Sequence, residues 1–156
     1  MKSFKLFRAA MLALPLVYSV HAMAKDAKDI VIAVIPKVAV PFFDDCNTGA
    51  KAAADAAGIQ YQWVVPQNTQ GSTQVKIMED LIAKKVDGIA ISVNEPKSVE
   101  GVIKAAMAAG IKVVTFDSDS ANSGRSMYIG TINKAAGATM GESMAKRWAA
   151  KAKWPL

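Results

Sequence analysis

The sequence predicts an α/β fold built on an open parallel sheet with helices on its faces. Short apolar segments alternate with longer helical segments between residues 30 and 130, which is typical of parallel strands joined by right-handed helical crossovers. The first apolar segment, residues 30–35, is a continuous and mostly β-branched run, as expected for a strand buried on both faces. Polar and aromatic residues follow several strands, at the sheet edge where such folds bind ligands.

An alanine-rich helix follows the first strand. We expect it over about residues 43–57, because Gly58 can end a helix in the left-handed conformation. The second strand then spans residues 59–65 and stops at Pro66, which cannot donate to a sheet ladder.

The third strand, residues 88–93, lies between two further helices. Ser72 is the predicted cap of the first of these helices, which runs to about Lys85. The second helix begins near Pro96, whose fixed φ suits a first turn, and ends at Gly110. Apolar residues at helical spacing mark its buried face: Val99, Val102, Ile103, Ala106 and Met107.

The last third of the chain predicts two more strands and one more helix. Residues 111–116 form the fourth strand, a polar loop covers residues 117–125, and residues 127–129 form a short fifth strand. Asn133 can cap a final helix that reaches about residue 151. One face of that helix carries Ala136, Met140, Met144 and Trp148. Residues 149–156 trail off as a loop, and no strand follows for the helix to cross to.

The first 24 residues have the pattern of a cleavable signal peptide. Three basic residues (Lys2, Lys5 and Arg8) precede an apolar segment at residues 9–20, which is too short to span a bilayer. Ala22, Met23 and Ala24 fit the small-x-small cleavage rule, so we expect the mature chain to begin at Lys25. The predicted organisation is therefore a signal peptide at 1–24, a lobe at 25–131 and a separate terminal segment at 132–156.

Composition excludes several classes of function. The net charge of +6 falls to +3 without the leader, because three of the 19 basic residues and none of the 13 acidic residues lie in it. No basic stripe with interleaved aromatics is present, so nucleic acid is a poor candidate partner. The only histidine precedes Lys25, which excludes histidine-based triads and makes a zinc site improbable. Dinucleotide and P-loop fingerprints are absent, and no nucleophile–base pair is evident, so we predict no enzyme activity and no cofactor or metal.

Cys46 is the only cysteine, so no disulfide can form within the chain. We interpret it as a small packing residue.

The candidate site residues are those that follow the strands and suit a polyhydroxylated ligand: Lys37, Phe42, Phe43, Asn94, Asp117 and Asp119. Carboxylates accept hydrogen bonds from hydroxyl groups, whereas lysine and asparagine donate them. An aromatic face can cover the C–H surface of a sugar ring. This set predicts the binding of a small polar solute.

Each candidate also has a purely structural interpretation. Lys37 suits a solvated strand end, and Asn94 can cap the next helix. One of the two phenylalanines can anchor the first helix to the core while the other faces the cleft. The two aspartates have the composition of turn residues. Glu95 is better explained by the helix dipole than by a ligand.

Several short motifs in order resemble one family. They are Ile35-Pro36-Lys37, Phe42-Phe43 and the segments at 88–92, 113–119 and 128–131. The chain resembles the sugar-type periplasmic solute-binding proteins of ABC importers, a group that includes ribose- and autoinducer-2-binding proteins. The resemblance implies a Rossmann-like lobe of type I, a periplasmic location, a monomeric full-length form and a membrane permease as partner. It also implies that Phe42 and Phe43 stack on the ligand and that Asp117 holds its hydroxyls.

Two departures refine this expectation. The ribose-type pattern has Arg where this chain has Ser118, so the resemblance favours the autoinducer-2 and rhamnose-like branch, with Lys37 and Asp117 as ligand contacts. Family members are roughly twice as long, in keeping with two domains. The resemblance therefore implies a truncated chain with a first hinge crossover at Gly130 and Thr131, ending soon after the first helix of a second lobe.

Two alternatives stay open. The chain can be a non-functional truncated remnant of such a protein. It can also be the ligand-sensing core of a sugar-responsive regulator, although the N-terminus carries an export leader where a regulator needs a helix-turn-helix.

Overall fold

A computed structural model describes residues 25–151, with side chains described through residue 149. The signal peptide predicted at 1–24 lies outside the described residues, as does the end of the chain. Single turns of 3₁₀ helix occur at Ala27–Asp29 and Ala121–Ser123, and the remaining elements follow in chain order. They are β1 (Val31–Ile35), α1 (Pro41–Ala57), β2 (Gln60–Trp63), α2 (Gly71–Ala83), β3 (Gly88–Ile91), α3 (Pro96–Ala108), β4 (Lys112–Phe116), β5 (Met127–Ile129) and α4 (Asn133–Lys151).

The strands form one five-stranded sheet in the order β2-β1-β3-β4-β5, and every pairing is parallel. The predicted fold class is therefore confirmed. The core lies between the sheet and the pair α2 and α3, where the stripe predicted on α3 is buried apart from half-buried Met107. Its buried members are Ala33, Ile35, Met78, Leu81, Val86, Ile89, Ile91, Val93, Val99, Val102, Ile103, Ala106, Ile111 and Val113.

Two predicted helix starts are wrong. α1 begins at Pro41 rather than at Phe43, because proline fits the first helical position, where its missing N–H is not needed. α2 begins at Gly71, so Ser72 lies inside the helix and is not its cap. Instead, Oδ1 of Asn68 accepts hydrogen bonds from the Gln70 N–H (3.0 Å) and from the Thr73 hydroxyl (2.7 Å).

The last helix, α4, reaches Lys151 as predicted, but Asn133 is its first helical residue and so is not its cap. Every side chain described in α4 is exposed. The apolar face predicted from its sequence is therefore uncovered, with Trp148 79% exposed. Residues 149–151, predicted as part of a closing loop, are helical. Among the helices of residues 25–151, none combines the length and apolar character that a bilayer crossing requires.

Candidate functional site

The carboxyl ends of β1, β3 and β4 lie side by side at one edge of the sheet. In the ladder Ile35 lies opposite Ile91, and Ile91 lies opposite Thr115. The polar residues that follow these three strands therefore start from the same level of the sheet. Such an edge is the usual ligand position in open α/β folds.

Lys37 and Asp117 meet at this edge, as the sequence analysis expected of strand-end residues. Nζ of Lys37 lies 3.2 Å from Oδ2 of Asp117 and also donates a hydrogen bond to the Ser118 hydroxyl. The Ser92 hydroxyl donates to the same Asp117 oxygen at 2.8 Å. About a third of each charged side chain is exposed, so the ion pair faces solvent. The backbone of the two residues is held at the ends of β1 and β4.

Asp117 adopts an uncommon backbone conformation. Its φ is +57°, in the left-handed region, where aspartate is tolerated better than most residues. β5 holds this conformation, because the Asp117 N–H donates to the Ile129 carbonyl at 3.0 Å and the Tyr128 hydroxyl donates to the Asp117 carbonyl at 2.9 Å. Sparsely populated backbone conformations persist where their surroundings over-determine them, often at ligand sites.

The ion pair lines a depression of about 550 Å³. This size is in the usual range for small-molecule sites. Three predicted site residues line it, namely Lys37, Phe42 and Asp117. The wall also includes residues that the sequence analysis did not assign to a site: Cys46, Phe116, Ser118, Ile129, Gly130, Thr131 and Asn133.

The structure separates the two adjacent phenylalanines. Phe42 is 58% exposed and forms part of the wall, whereas Phe43 is only 4% exposed. The Phe43 ring packs edge-on against Phe42 (centroids 5.0 Å apart) and against Phe116 (6.2 Å). One phenylalanine therefore anchors α1 and the other faces the depression, as the structural interpretation of the pair expected. Ligand stacking on either ring stays a prediction.

Asn94 ties strand ends together and is not among the lining residues. Its Nδ2 donates to the Lys37 carbonyl at 3.1 Å, so its side chain is not the cap of α3, and that alternative is wrong. The Asn94 N–H donates to Oε1 of Gln74 at 2.9 Å, and Nε2 of Gln74 donates to the Ser92 carbonyl at 2.7 Å. Gln74 is fully buried on α2, and sequence reasoning missed it. The sequence held one indication of this role, because Gln74 is a polar residue on the otherwise apolar face of α2.

Asp119 is not among the residues that line the depression, and a guanidinium group holds its carboxylate. Both carboxylate oxygens accept hydrogen bonds from Arg125, and Oδ1 also accepts from the Thr115 hydroxyl at 2.6 Å. These bonds, above all those from Arg125, keep the pKa of Asp119 below its ordinary value. The carboxylate is thus already occupied, and a direct ligand contact by Asp119 stays a prediction.

Cys46 is half-buried in the wall of the depression rather than packed in the core, where a small packing residue was expected. Burial raises the pKa of its thiol, and the Asp117 and Asp45 carboxylates raise it further.

Glu95 precedes α3. Its carboxylate accepts hydrogen bonds from the Ser98 hydroxyl, at 2.8 Å, and from the backbone N–H at the start of α2, and both bonds lower its pKa. This agrees with the predicted helix-terminus role of Glu95.

Metal binding has no support in residues 25–151, where no group of three His, Cys, Asp or Glu side chains is placed to hold an ion. The chemistry available at the depression is therefore that of an ammonium group, a carboxylate, hydroxyls and an exposed aromatic face.

Comparison with known proteins gives consistent matches. A family model described as a periplasmic binding protein domain matches residues 32–154. The D-ribose/D-allose-binding protein of Pseudomonas aeruginosa is 30% identical over 138 residues, which cover 83% of this chain and 43% of that protein.

Two solved structures extend the comparison. An ABC transporter solute-binding protein from Burkholderia graminis, crystallised in complex with D-arabinose, is 76% identical, with a TM-score of 0.77 over 80% of this chain and 43% of that chain. LsrB from Clostridium saccharobutylicum, in complex with AI-2, is 26% identical, with a TM-score of 0.62 over 65% of this chain and 32% of that chain. The chain therefore spans less than half the length of each of these relatives.

Proposed function

The chain belongs to the periplasmic binding protein domain family, and from that membership we propose that it is a sugar-binding component of an ABC importer. Under this proposal the protein acts in the periplasm after removal of residues 1–24, and it delivers its solute to a membrane permease. The observation that carries the proposal is the Lys37–Asp117 ion pair, which lines a depression together with the exposed ring of Phe42.

The hydrogen-bonding capacity left at the ion pair suits neighbouring hydroxyl groups. The ammonium group has three donors, one of which bonds the Ser118 hydroxyl, and its nitrogen lies 3.2 Å from Oδ2 of Asp117. The Ser92 hydroxyl also donates to Oδ2, which leaves Oδ1 available as an acceptor. One sugar hydroxyl can donate to Oδ1 while the next accepts from Nζ of Lys37, and such charge-assisted bonds are roughly twice as strong as neutral ones.

The favoured solute is an aldose of the D-arabinose class. The relative crystallised with D-arabinose is 76% identical to this chain, whereas the relative crystallised with AI-2 is 26% identical. This difference favours an arabinose-like sugar over the autoinducer-2 branch to which the short motifs pointed.

The proposal assigns residues 25–131 to one lobe of a two-lobed binding protein and residues 132–156 to the beginning of the other. Proteins of this kind close two domains around the ligand by a hinge motion. The walls described for the depression come from the edge of a single sheet, α1 and the start of α4. We therefore expect this chain alone to bind sugar weakly, in the millimolar range.

Titration calorimetry with D-arabinose, D-ribose, L-rhamnose and autoinducer-2 tests the proposal. We expect D-arabinose to bind best and Asp117→Asn to weaken it at least about tenfold, which corresponds to 1.4 kcal/mol. The matched control is Asp55→Asn, because Asp55 forms an exposed ion pair with Lys51 on α1 and does not line the depression.

Equal affinities for the native chain and Asp117→Asn would overturn the assignment of the site. Micromolar binding by this chain alone would contradict the account of a one-sided depression.

A further inference from the structure

The Tyr128 hydroxyl lies between two backbone carbonyls that belong to different parts of the chain. Its oxygen is 2.9 Å from the Asp117 carbonyl oxygen and 3.3 Å from the Thr131 carbonyl oxygen. A phenol has one proton to donate, so the two acceptors share it in a three-centre hydrogen bond. The shorter distance gives Asp117 the stronger share.

The two accepting carbonyls belong to Asp117, at the depression, and to Thr131, in the segment that leads into α4. Asp117 carries the carboxylate of the ligand depression and holds a left-handed φ of +57°. Thr131 lies in the short segment between β5 and α4, where the chain leaves the sheet. Tyr128 therefore contacts the proposed ligand site and the departing segment through the same hydroxyl.

The tyrosine ring packs closely against Gly130 and near the Arg125 guanidinium. A Cβ atom at Gly130 would lie 2.2 Å from the Tyr128 hydroxyl oxygen and 2.5 Å from Cζ, closer than any side chain allows. The Arg125 guanidinium carbon lies 5.9 Å from the ring centroid, within cation–π range, and Asp119 holds that guanidinium. Glycine at 130 and the Asp119–Arg125 pair thus define where the hydroxyl sits.

We propose that Tyr128 is a positioning residue that couples the backbone of Asp117 to the segment leading into α4. A shift in either carbonyl changes the share of the proton available to the other, so the two regions respond together. Asp119 contributes to this positioning indirectly, by holding the Arg125 guanidinium near the Tyr128 ring. The inference rests on the proposed function only in taking Asp117 as a solute contact, and the coupling itself can be measured without sugar.

Hydrogen exchange of the purified chain, measured residue by residue by NMR, tests this coupling. In Tyr128→Phe we expect exchange to accelerate about fivefold, the change expected for one lost hydrogen bond. The effect should appear both at the Asp117 N–H and in the first turn of α4, where the Ala136 N–H donates to the Ile132 carbonyl. Exchange in the core strand β3 should stay at the native rate, which separates a local positioning role from general loss of stability.

Two further variants make the test specific. Tyr61→Phe is the matched control, because Tyr61 lies on β2, at the opposite edge of the sheet from Tyr128. Its hydroxyl donates to Asn47 on α1, and its loss should leave both reporters unchanged. Gly130→Ala should reproduce the effect of Tyr128→Phe by displacing the ring, and Tyr128→Phe decides alone if Gly130→Ala does not fold. Unchanged exchange at either reporter in Tyr128→Phe would overturn the coupling. A chain that exchanges as expected yet binds no sugar would contradict only the proposed function.

Discussion

The left-handed backbone of Asp117 predicts that two similar substitutions have different effects on stability. Asp117→Asn retains a residue that tolerates positive φ and keeps an oxygen to accept from Ser92, so it loses mainly the ion pair with Lys37. A partly exposed ion pair contributes about 0–1 kcal/mol. Asp117→Asn should therefore lower the free energy of unfolding only slightly.

Asp117→Ala loses more. Placing alanine in the left-handed region costs about 1–2 kcal/mol, and loss of the acceptor for the hydroxyl of buried Ser92 costs about 1 kcal/mol more. We therefore expect the alanine variant to be about 2–3 kcal/mol less stable than the asparagine variant.

Urea unfolding followed by circular dichroism measures this difference. The control pair is Asp55→Ala and Asp55→Asn in the exposed part of α1, where alanine is the better helix former and the order of stabilities should reverse. Equal stabilities of Asp117→Ala and Asp117→Asn, or a more stable alanine variant, would refute the reasoning from backbone strain.

Four other substitutions give three further tests by urea unfolding. The Arg125 guanidinium lowers the pKa of Asp119, so the stability that this carboxylate contributes is complete above the unfolded pKa of about 3.9 and is lost as the pH falls through the lower folded value. Asp119→Asn should therefore flatten the decline of stability below about pH 4. An unchanged decline would contradict this. Phe43→Ala should cost about 3–5 kcal/mol because the ring is buried, whereas Phe42→Ala should cost under about 1 kcal/mol and act mainly on sugar binding; similar losses would contradict the division of the pair. Gln74→Leu should cost about 1–3 kcal/mol by leaving the buried Ser92 carbonyl without its partner, and a neutral effect would show that this bond is dispensable.

Local patterns were enough to predict the sheet and part of the site. Continuous apolar runs located the strands, and a parallel sheet necessarily brings its carboxyl ends together. Lys37 and Asp117 therefore could be assigned to one edge before any coordinates were known, and they lie 3.2 Å apart.

Other features depend on partners that no local pattern identifies. Gln74 lies in a helix, where a glutamine usually indicates a solvated face, and only its bonds to strand ends explain its burial. Asp119 looked like a ligand residue because its partner, Arg125, lies on the same polar loop and is recognisable only in three dimensions. The start of α2 was misplaced because Gly71 is required there by close packing against Ser98, which lies on another helix.

The most direct test of the account is an NMR titration of the chain with D-arabinose, in which amide shifts map where the sugar lies. We expect saturable changes around Lys37, Phe42 and Asp117, and none at the opposite sheet edge, where Asp87 pairs with Lys25. Shifts centred on that opposite edge, or no shifts at saturating sugar, would contradict the claim that the solute binds in the depression lined by Lys37, Phe42 and Asp117.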